Sequence, residues 1–583
     1  MRIIFTLLLS FVFTIGVNAQ ISHGGEPIGW DNPTASDVEF LSLPTPDIKA
    51  HEREDETLDQ HPDIPYRYGA IAEVDFDSDR HGSWTSLPNG DRVWRLAISS
   101  PGALSLNFLF DDYQVPEGGK VFVYNPEKTQ LLGSFTSENT SKINSLGVGI
   151  LHGDKMIIEY VEPVEVSGQG YLHISKITHG YRSILGASQQ EKAGPFGNAA
   201  ACNINVNCPE GAPFEFEKRS VAIIVVNDNG VCSGALVNNT LQDQTPYFLT
   251  ANHCLPGNPS NTQNWIFYFN HETPDCAGEV DAPTNQSISG ASLRASNAES
   301  DFGLVEFNDN VPNSYNVCYS GWDASDDETA NSSFGIHHPR GDVKKICFDE
   351  DAPYHDNIGT FVNQVWYIDQ WEDGVTEGGS SGSPLFNDAG LLIGQLAGGA
   401  AACDGEVNNG LFDYYGRLGV SWDYGSSATS RLSDWLDEAN TGQLILPNSC
   451  NTNNPDNDIT LGNIENIESI YCSLEEVTPS IDVTNTGGNS VTSFELSLTY
   501  NGQAQEAITW TGNLESFQNL TLSLESFQLV GGINSIEVEV ESVNSTTDSN
   551  APGNIKSTEV DATAYPAYVT LVLNFDDYPE ETS

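Results

Sequence analysis

Alternation of apolar and polar residues is the dominant pattern along this chain. Between Tyr66 and about Arg182 it recurs in RVWRLAIS, SLNFLF, KVFVYN, MIIEYV and YLHISKI, separated by turn sequences such as PNGD and PEGGK. This predicts a compact antiparallel β-rich domain. From Cys202 to about Leu446, VAIIVV, YFLTA, NWIFYF, FGLVEF and LLIGQLAGG recur between Gly/Asn/Pro turns, a spacing that suits a β-barrel or sandwich. One helix is predicted near the end of this stretch. There Leu432, Trp435 and Leu436 share a helical face, with Ser427 or Thr429 as cap. From residue 459 to about 564, SIDVTNTGG, SFELSLTY and SIEVEVES predict an immunoglobulin-like sandwich. The fold class is therefore mostly β.

The segments between these blocks are of different composition. Residues 20 to about 65 are polar and Pro-rich and read as an extended lead. Ser183–Ala201 is a small-residue linker, and CNTNNPDND at 450–458 is another. That Asp/Asn run lacks the spacing and closing Glu of a calcium loop, and linker is the preferred reading. The last stretch, residues 565–583, reads as the start of a further, truncated domain.

The N-terminus changes the cellular picture. Arg2 precedes a mostly apolar run from Ile3 to Val17, and Val17-Asn18-Ala19 fits a small-residue cleavage site. Residues 1–19 thus read as a secretory signal peptide cut after Ala19. No apolar stretch is long enough to predict a membrane span. The expected location is extracellular, free or attached to the cell surface. The net charge of −58, from 23 basic and 81 acidic residues, argues against nucleic acid and anionic membranes as partners. Ten cysteines behind an export signal read as disulfides. The rival is zinc, but no CxxC pair and no HExxH occurs, so no metal site and no cofactor are predicted.

Three short motifs carry chemistry: LTANHC around His253, SDFGLVEF with Asp301, and GGSSGSPLF around Ser381. A serine hydroxyl becomes a competent nucleophile when a base takes its proton. Histidine has the pKa for that task, and an aspartate fixes its tautomer and stabilises the imidazolium. The glycines beside Ser381 permit a tight turn in which the N–H groups of Gly379 and Ser381 face a developing oxyanion. The chain order His, Asp, Ser is that of chymotrypsin-type proteases.

Longer motifs narrow the reading. ACNINVNCPEG, CSGALVNN, YFLTANHC, SDFGLVEF, GIHHPRGD, GVTEGGSSGSPLF, GQLAGG and RLSDWLD together resemble the bacterial lysyl endopeptidase family, typified by the Achromobacter enzyme. The resemblance covers about Cys202 to Leu446. It implies a chymotrypsin-like double β-barrel with a C-terminal helix, spanning residues 193–448. It also implies triad roles for His253, Asp301 and Ser381. The family's lysine-reading aspartate falls at Asp413 in FDYYGR, 32 positions after Ser381. A carboxylate in a narrow pocket suits an ammonium on an apolar stem. WTSLPNGDRVWRLAISSPGALSLN resembles the family's propeptide, which gives residues 20–192 the role of a folding aid and inhibitor. Cutting after Lys192 would start the mature chain at Ala193. The C-terminal sandwich resembles accessory domains of large secreted enzymes, whose ligand would be a surface or polymer.

The resemblance also implies the disulfides Cys202–Cys403, Cys208–Cys276 and Cys232–Cys254. Cys318 and Cys347 exceed the family set and pair most economically with each other, which leaves Cys450 for Cys472. Two departures stand out. Ser380 precedes the nucleophile where ordinary trypsins carry an acid, so a new N-terminal amine has no acid there to pair with. Ala397 stands where the Achromobacter type has a histidine. The expected function is a secreted serine endopeptidase cutting after lysine, with protein substrates and its own propeptide as partners. The competing readings are a catalytically retired adhesin or binding protein, and a protease of broader Lys/Arg specificity.

Overall fold

The computed structural model describes residues 23–562 apart from 32–37, 62–63, 187–197, 256, 279–281, 328–329, 404–410, 451–456, 468–469, 472–473, 486, 488–489, 515–518 and 547–554. Ala19, Lys192, Cys472 and the 565–583 tail lie outside these residues. The chain divides into two compact units, residues 1–450 and 451–583.

The first unit contains two layers of architecture. Its N-terminal part is a pair of sheets. One has six strands, ordered Phe40–Ser42, Arg92–Ser99, Lys155–Glu162, Lys120–Tyr124 and Leu131–Phe135, with Ser83–Ser86 also on Arg92–Ser99. The other has four, ordered Gly69–Asp77, Tyr171–Gly180, Ser105–Gln114 and Leu146–His152. Their facing side chains, among them Trp94, Phe110, Tyr113, Met156 and Tyr160, make one buried cluster. The alternating residues read from the sequence supply that inner face.

The lead before these sheets is not simply extended. Ile48–Leu58 is an 11-residue helix, and the Asp47 carboxylate accepts the Ala50 N–H at 3.1 Å as its cap. The fully buried Asp55 carboxylate anchors the helix. It receives Arg67 Nη2 at 2.6 Å, Arg182 Nη2 at 3.0 Å and the Tyr181 hydroxyl at 2.7 Å. Asp59 takes two hydrogen bonds from Arg182, at 2.8 and 3.0 Å.

The remainder of this unit is built from two large sheets and one two-stranded pair. An eight-stranded sheet runs Ser287–Ser289, Ile266–Phe269, Val221–Val226, Gly230–Leu236, Tyr247–Ala251, Phe302–Phe307 and Ala291–Asn297. Its eighth strand, Tyr66–Arg67, pairs antiparallel with Gly230–Leu236, Tyr66 opposite Val231 and Arg67 opposite Gly230. The start of the N-terminal region is thus stitched into the protease-type sheet. A ten-stranded sheet carries Ser333–His337, Pro384–Asn387, Leu392–Gly399 and Asp413–Arg417 at its centre. Each sheet encloses its own apolar cluster, and a third cluster joins them through Trp322, Phe302, Phe386 and Leu392. This is the double-barrel plan of chymotrypsin-like proteases. The C-terminal helix is shorter than its sequence predicts. Ser433–Leu436 is a single turn beginning at Leu432, and Ser427 instead opens a separate 3-10 turn at Ala428–Ser430. Leu432 and Leu436 are buried as expected, but Arg431 is extended and breaks the helix before Leu432.

The second unit is a β-sandwich. One sheet orders Ile459–Glu465, Ser480–Asn485 and Asn519–Ser523. The other orders Ile470–Tyr471, Ile555–Ala562, Gly532–Val543, Val491–Tyr500 and Gln503–Ala504, with Ile508–Leu514 also on Val491–Tyr500. Its core gathers Ile481, Val483, Phe494, Leu496, Leu498, Ile536 and Val538. No helix among the described residues is long and apolar enough to cross a membrane.

Four disulfides are formed among the described residues. Cys202–Cys403, Cys208–Cys276 and Cys232–Cys254 join the pairs the family resemblance implied. The other pairing differs. Cys318 bridges Cys450, because the strands Cys318–Tyr319 and Ser449–Cys450 run antiparallel with these two residues opposite. Neither the Cys318–Cys347 nor the Cys450–Cys472 pairing is therefore possible. Cys347 is a free thiol buried inside Lys345–Asp349, and that burial pushes its pKa well up.

Candidate active site

His253 and Asp301 are brought together by strand pairing. The strand Tyr247–Ala251 ends in the 3-10 turn Asn252–Cys254, and Ala251 lies opposite Phe302, the residue after Asp301. Asn252 N–H donates to the Asp301 carbonyl at 2.8 Å, and His253 N–H donates to Asp301 Oδ1 at 3.0 Å. His253 Nδ1 is 2.8 Å from Asp301 Oδ2. This fixes the proton on Nδ1 and leaves Nε2 as the basic nitrogen. Nε2 is buried and has no hydrogen-bond partner among the described residues. The Cys232–Cys254 bridge pins the turn next to His253.

Ser381 sits in a loop closed by Ser380 N–H to the Glu377 carbonyl and Ser383 N–H to the Ser380 carbonyl, both 2.9 Å. Its own carbonyl accepts Ser233 N–H at 2.8 Å and lies 3.9 Å from Cys254 Sγ, so the serine loop and the histidine turn adjoin. Gly379 adopts φ +96°, and a Cβ there would lie 3.0 Å from both Arg340 N and the His338 carbonyl. Only glycine lets the loop pass here.

Ser380, the residue that departs from trypsins, is buried and hydrogen-bonded. Its Oγ is 2.8 Å from His337 Nδ1 and accepts the Glu377 N–H at 3.2 Å. Burial pushes the His337 imidazole down to about 3, so it is neutral at physiological pH. The loop is thus held by a neutral hydrogen bond at the place where an ion pair would otherwise be sought. His337 belongs to the GIHHP motif, whose chemistry no spacing rule reveals. Ala397 is buried in the strand Leu392–Gly399 and makes no polar contribution.

Asp413 begins the strand Asp413–Arg417, opposite Gly399. Its Oδ2 accepts Trp371 Nε1 at 2.7 Å and Thr376 Oγ1 at 2.6 Å. Burial pushes this carboxyl up to about 7, against the opposing hydrogen bonds from Thr376 and Trp371. Ser381 and Asp413 line one cavity of about 100 Å³ together with Thr376–Gly378, Leu396, Gly398, Gly399 and Ala401. Its remaining wall is the lead segment: Leu58–His61 and Ile64–Tyr66. Thr376 lies in the GVTEGGSSGSPLF motif without a role assigned from sequence, and Trp371 lies just before that motif.

The two-sheet core, the glycine-bracketed serine and the His–Asp pair define a trypsin-like serine endopeptidase. The comparisons with known proteins narrow this. Residues 196–416 match the family described as "Lysyl endopeptidase, C-terminal domain". Lysyl endopeptidase of Pseudomonas aeruginosa is 28% identical over 356 residues, which cover 57% of this chain and 74% of that protein. Over residues 196–416 the chain is similar to the lysyl endopeptidase family. Among solved structures, the secreted serine protease VesC from Vibrio cholerae aligns with 12% identity, over 59% of this chain and 69% of that one, at a TM-score of 0.26. The CARDB domain of PF1109 from Pyrococcus furiosus aligns with 20% identity, over 19% of this chain and 99% of that one, at a TM-score of 0.17. The fold rests on the sheets described above.

Proposed function

We propose that this chain is the precursor of an exported endopeptidase that hydrolyses peptide bonds on the carboxyl side of lysine. The observation that carries this reading is the buried Asp413 carboxylate in the same cavity as Ser381. Such a cavity offers a countercharge to an ammonium while its glycine walls admit an apolar stem. In the mechanism, Ser381 Oγ attacks the carbonyl carbon as His253 Nε2 takes its proton. Asp301 holds the imidazole and stabilises its cationic form. The N–H groups of Gly379 and Ser381 receive the oxyanion. His253 then returns the proton to the leaving amine, and a water activated by the same nitrogen hydrolyses the acyl-enzyme. The experiment that tests the assignment is mapping of cleavage sites in peptides that differ only at the residue before the scissile bond.

The Asp413 carboxyl gives a pH dependence with a definite sign. Its pKa is raised, so the uncharged form accumulates as pH falls below about 7. Opening the pocket mouth admits water and moves this midpoint down from there. The protonated carboxyl offers a lysine ammonium no countercharge. The ratio of lysyl-peptide kcat/KM to the rate of acylation by a small reagent without a side chain in the pocket therefore falls on the acid side of neutrality. Any effect of pH on the triad acts on both rates and cancels. A ratio that stays flat from about pH 8 to about pH 5 contradicts the role of Asp413.

The same reading makes residues 20–192 an inhibitory propeptide. Support comes from the lead segment over the Ser381–Asp413 cavity and its anchor at Asp55. Replacing Asp55 by alanine leaves Arg67 and Arg182 without their buried partner and loosens the segment. Labelling of the intact precursor by a small serine-directed acylating agent then speeds up several-fold. Equal labelling rates in the Asp55→Ala and parent precursors count against inhibition by this segment.

A further inference from the structure

We propose that Trp371 and Thr376 make this pocket choose lysine over arginine, by occupying one oxygen of the Asp413 carboxylate with neutral donors. The inference rests on the reading of Asp413 as the residue that meets the substrate's cationic side chain.

An ionised carboxylate has two oxygens and about four lone-pair positions. Oδ2 of Asp413 accepts both Trp371 Nε1 at 2.7 Å and Thr376 Oγ1 at 2.6 Å, which fills its two positions. The backbone N–H of Ala401 hydrogen-bonds the same carboxylate. What remains for a substrate is acceptor positions on Oδ1 alone. A lysine ammonium is a compact charge with three rotatable donors, and one such position serves it. A guanidinium pairs best through two parallel N–H groups, one to each carboxylate oxygen. Here that fork finds Oδ2 already taken. Arginine would enter with one N–H of its fork buried and unpaired, and an enclosed site rejects a ligand on that ground far more strongly than on shape alone.

The carboxylate cannot turn to offer both oxygens. A Cβ at Gly399 would lie 1.7 Å from Asp413 Oδ1, so the carboxylate rests directly against the backbone of the paired strand. Trp371 is fully buried, and Thr376 is nearly so. The segment bearing them is tied down by Phe348 N–H to the Asp373 carbonyl at 2.8 Å. Both donors are therefore fixed in place before substrate arrives.

The test measures kcat/KM on two peptides identical except for lysine or arginine before the scissile bond. Each lysine-to-arginine ratio is taken within one variant, so any loss of folded material cancels. The variants are Thr376→Val, Thr376→Ser and Trp371→Phe. Valine matches threonine in shape and lacks the donor, which reopens a position on Oδ2. The wild-type ratio is high, and Thr376→Val and Trp371→Phe each lower it by about tenfold or more. Thr376→Ser keeps the hydroxyl and keeps the ratio. A lysine-selective wild type whose ratio is unmoved in both Thr376→Val and Trp371→Phe overturns this inference and leaves the reading of Asp413 standing. A wild type that cuts at arginine as readily as at lysine overturns the inference and leaves Asp413 as the reader of a cationic side chain, whereas one that prefers neither lysine nor arginine overturns both.

Discussion

Replacing Ser381 by alanine lowers kcat about a thousandfold or more while the core remains folded, and His253→Ala does much the same. Only a hydroxyl is lost at Ser381. The loop around it is held by backbone hydrogen bonds and by the His337–Ser380 contact, neither of which uses the Ser381 side chain. The two losses do not add in the double variant, because nucleophile and base act as one unit. The Ser381→Ala precursor, made without other proteases, also persists uncut at Lys192. Near-parental peptide hydrolysis by a clean Ser381→Ala sample rejects the proposed nucleophile. Cleavage at Lys192 in that sample shows that the maturation does not depend on this active site.

Asp413→Asn carries the second large effect. Asparagine keeps the shape of the side chain and removes its charge. A lysine ammonium entering the pocket then loses its countercharge in a buried site, at a cost of about 3–5 kcal/mol. Lysyl-peptide kcat/KM falls by two to more than three powers of ten, at about 1.4 kcal/mol for each. Reaction with a small acylating agent falls far less, because nothing of that agent reaches Asp413. The asparagine amide also sets an N–H₂ or a carbonyl beside the Trp371 and Thr376 donors, and part of the loss comes from that mismatch. Unchanged cleavage after lysine in Asp413→Asn rejects the specificity assignment without touching the triad.

The parts of this molecule that were legible from sequence are those written in local chemistry. Alternating strands such as RVWRLAIS and SFELSLTY announce their buried faces, and both lie in sheets. The motifs of His253, Asp301, Ser381 and Asp413 are each weak alone and point to one chemistry only when taken together; the structure sets His253 against Asp301 and puts Ser381 and Asp413 on one cavity. Features that depend on distant pairing were not legible. Cys318 and Cys347 are near neighbours in sequence, yet strand register places Cys318 opposite Cys450, 132 residues away. The helix Ile48–Leu58 has a weak apolar face and was hidden in a polar lead, and its stability comes from the buried Asp55 and its two arginines. The helix read from Leu432, Trp435 and Leu436 is a single turn, since the spacing of three residues cannot set a length. Trp371 and Thr376 act only through Asp413, 42 and 37 residues on, and no spacing rule links them to it.

The structure places two apparent oddities of the sequence in physical terms. Ser380 stands where trypsins have an acid, and the neutral His337 meets it, so the serine loop is tied without a buried charge. A buried ion pair would carry a desolvation cost that this hydrogen bond avoids. The Cys202–Cys403 bridge joins the beginning of the core to the segment that follows Ala401 at the pocket. Together these tie down the serine loop and the pocket region in the uncut chain.

Digestion of a mixed peptide library by the purified mature protein, with cleavage sites mapped by mass spectrometry, tests the central claim most directly. The account predicts cuts on the carboxyl side of lysine, few or none after arginine, and none in a parallel digest with Ser381→Ala. Cleavage with no preference for lysine, or no cleavage by protein that a serine-directed reagent labels stoichiometrically, contradicts it.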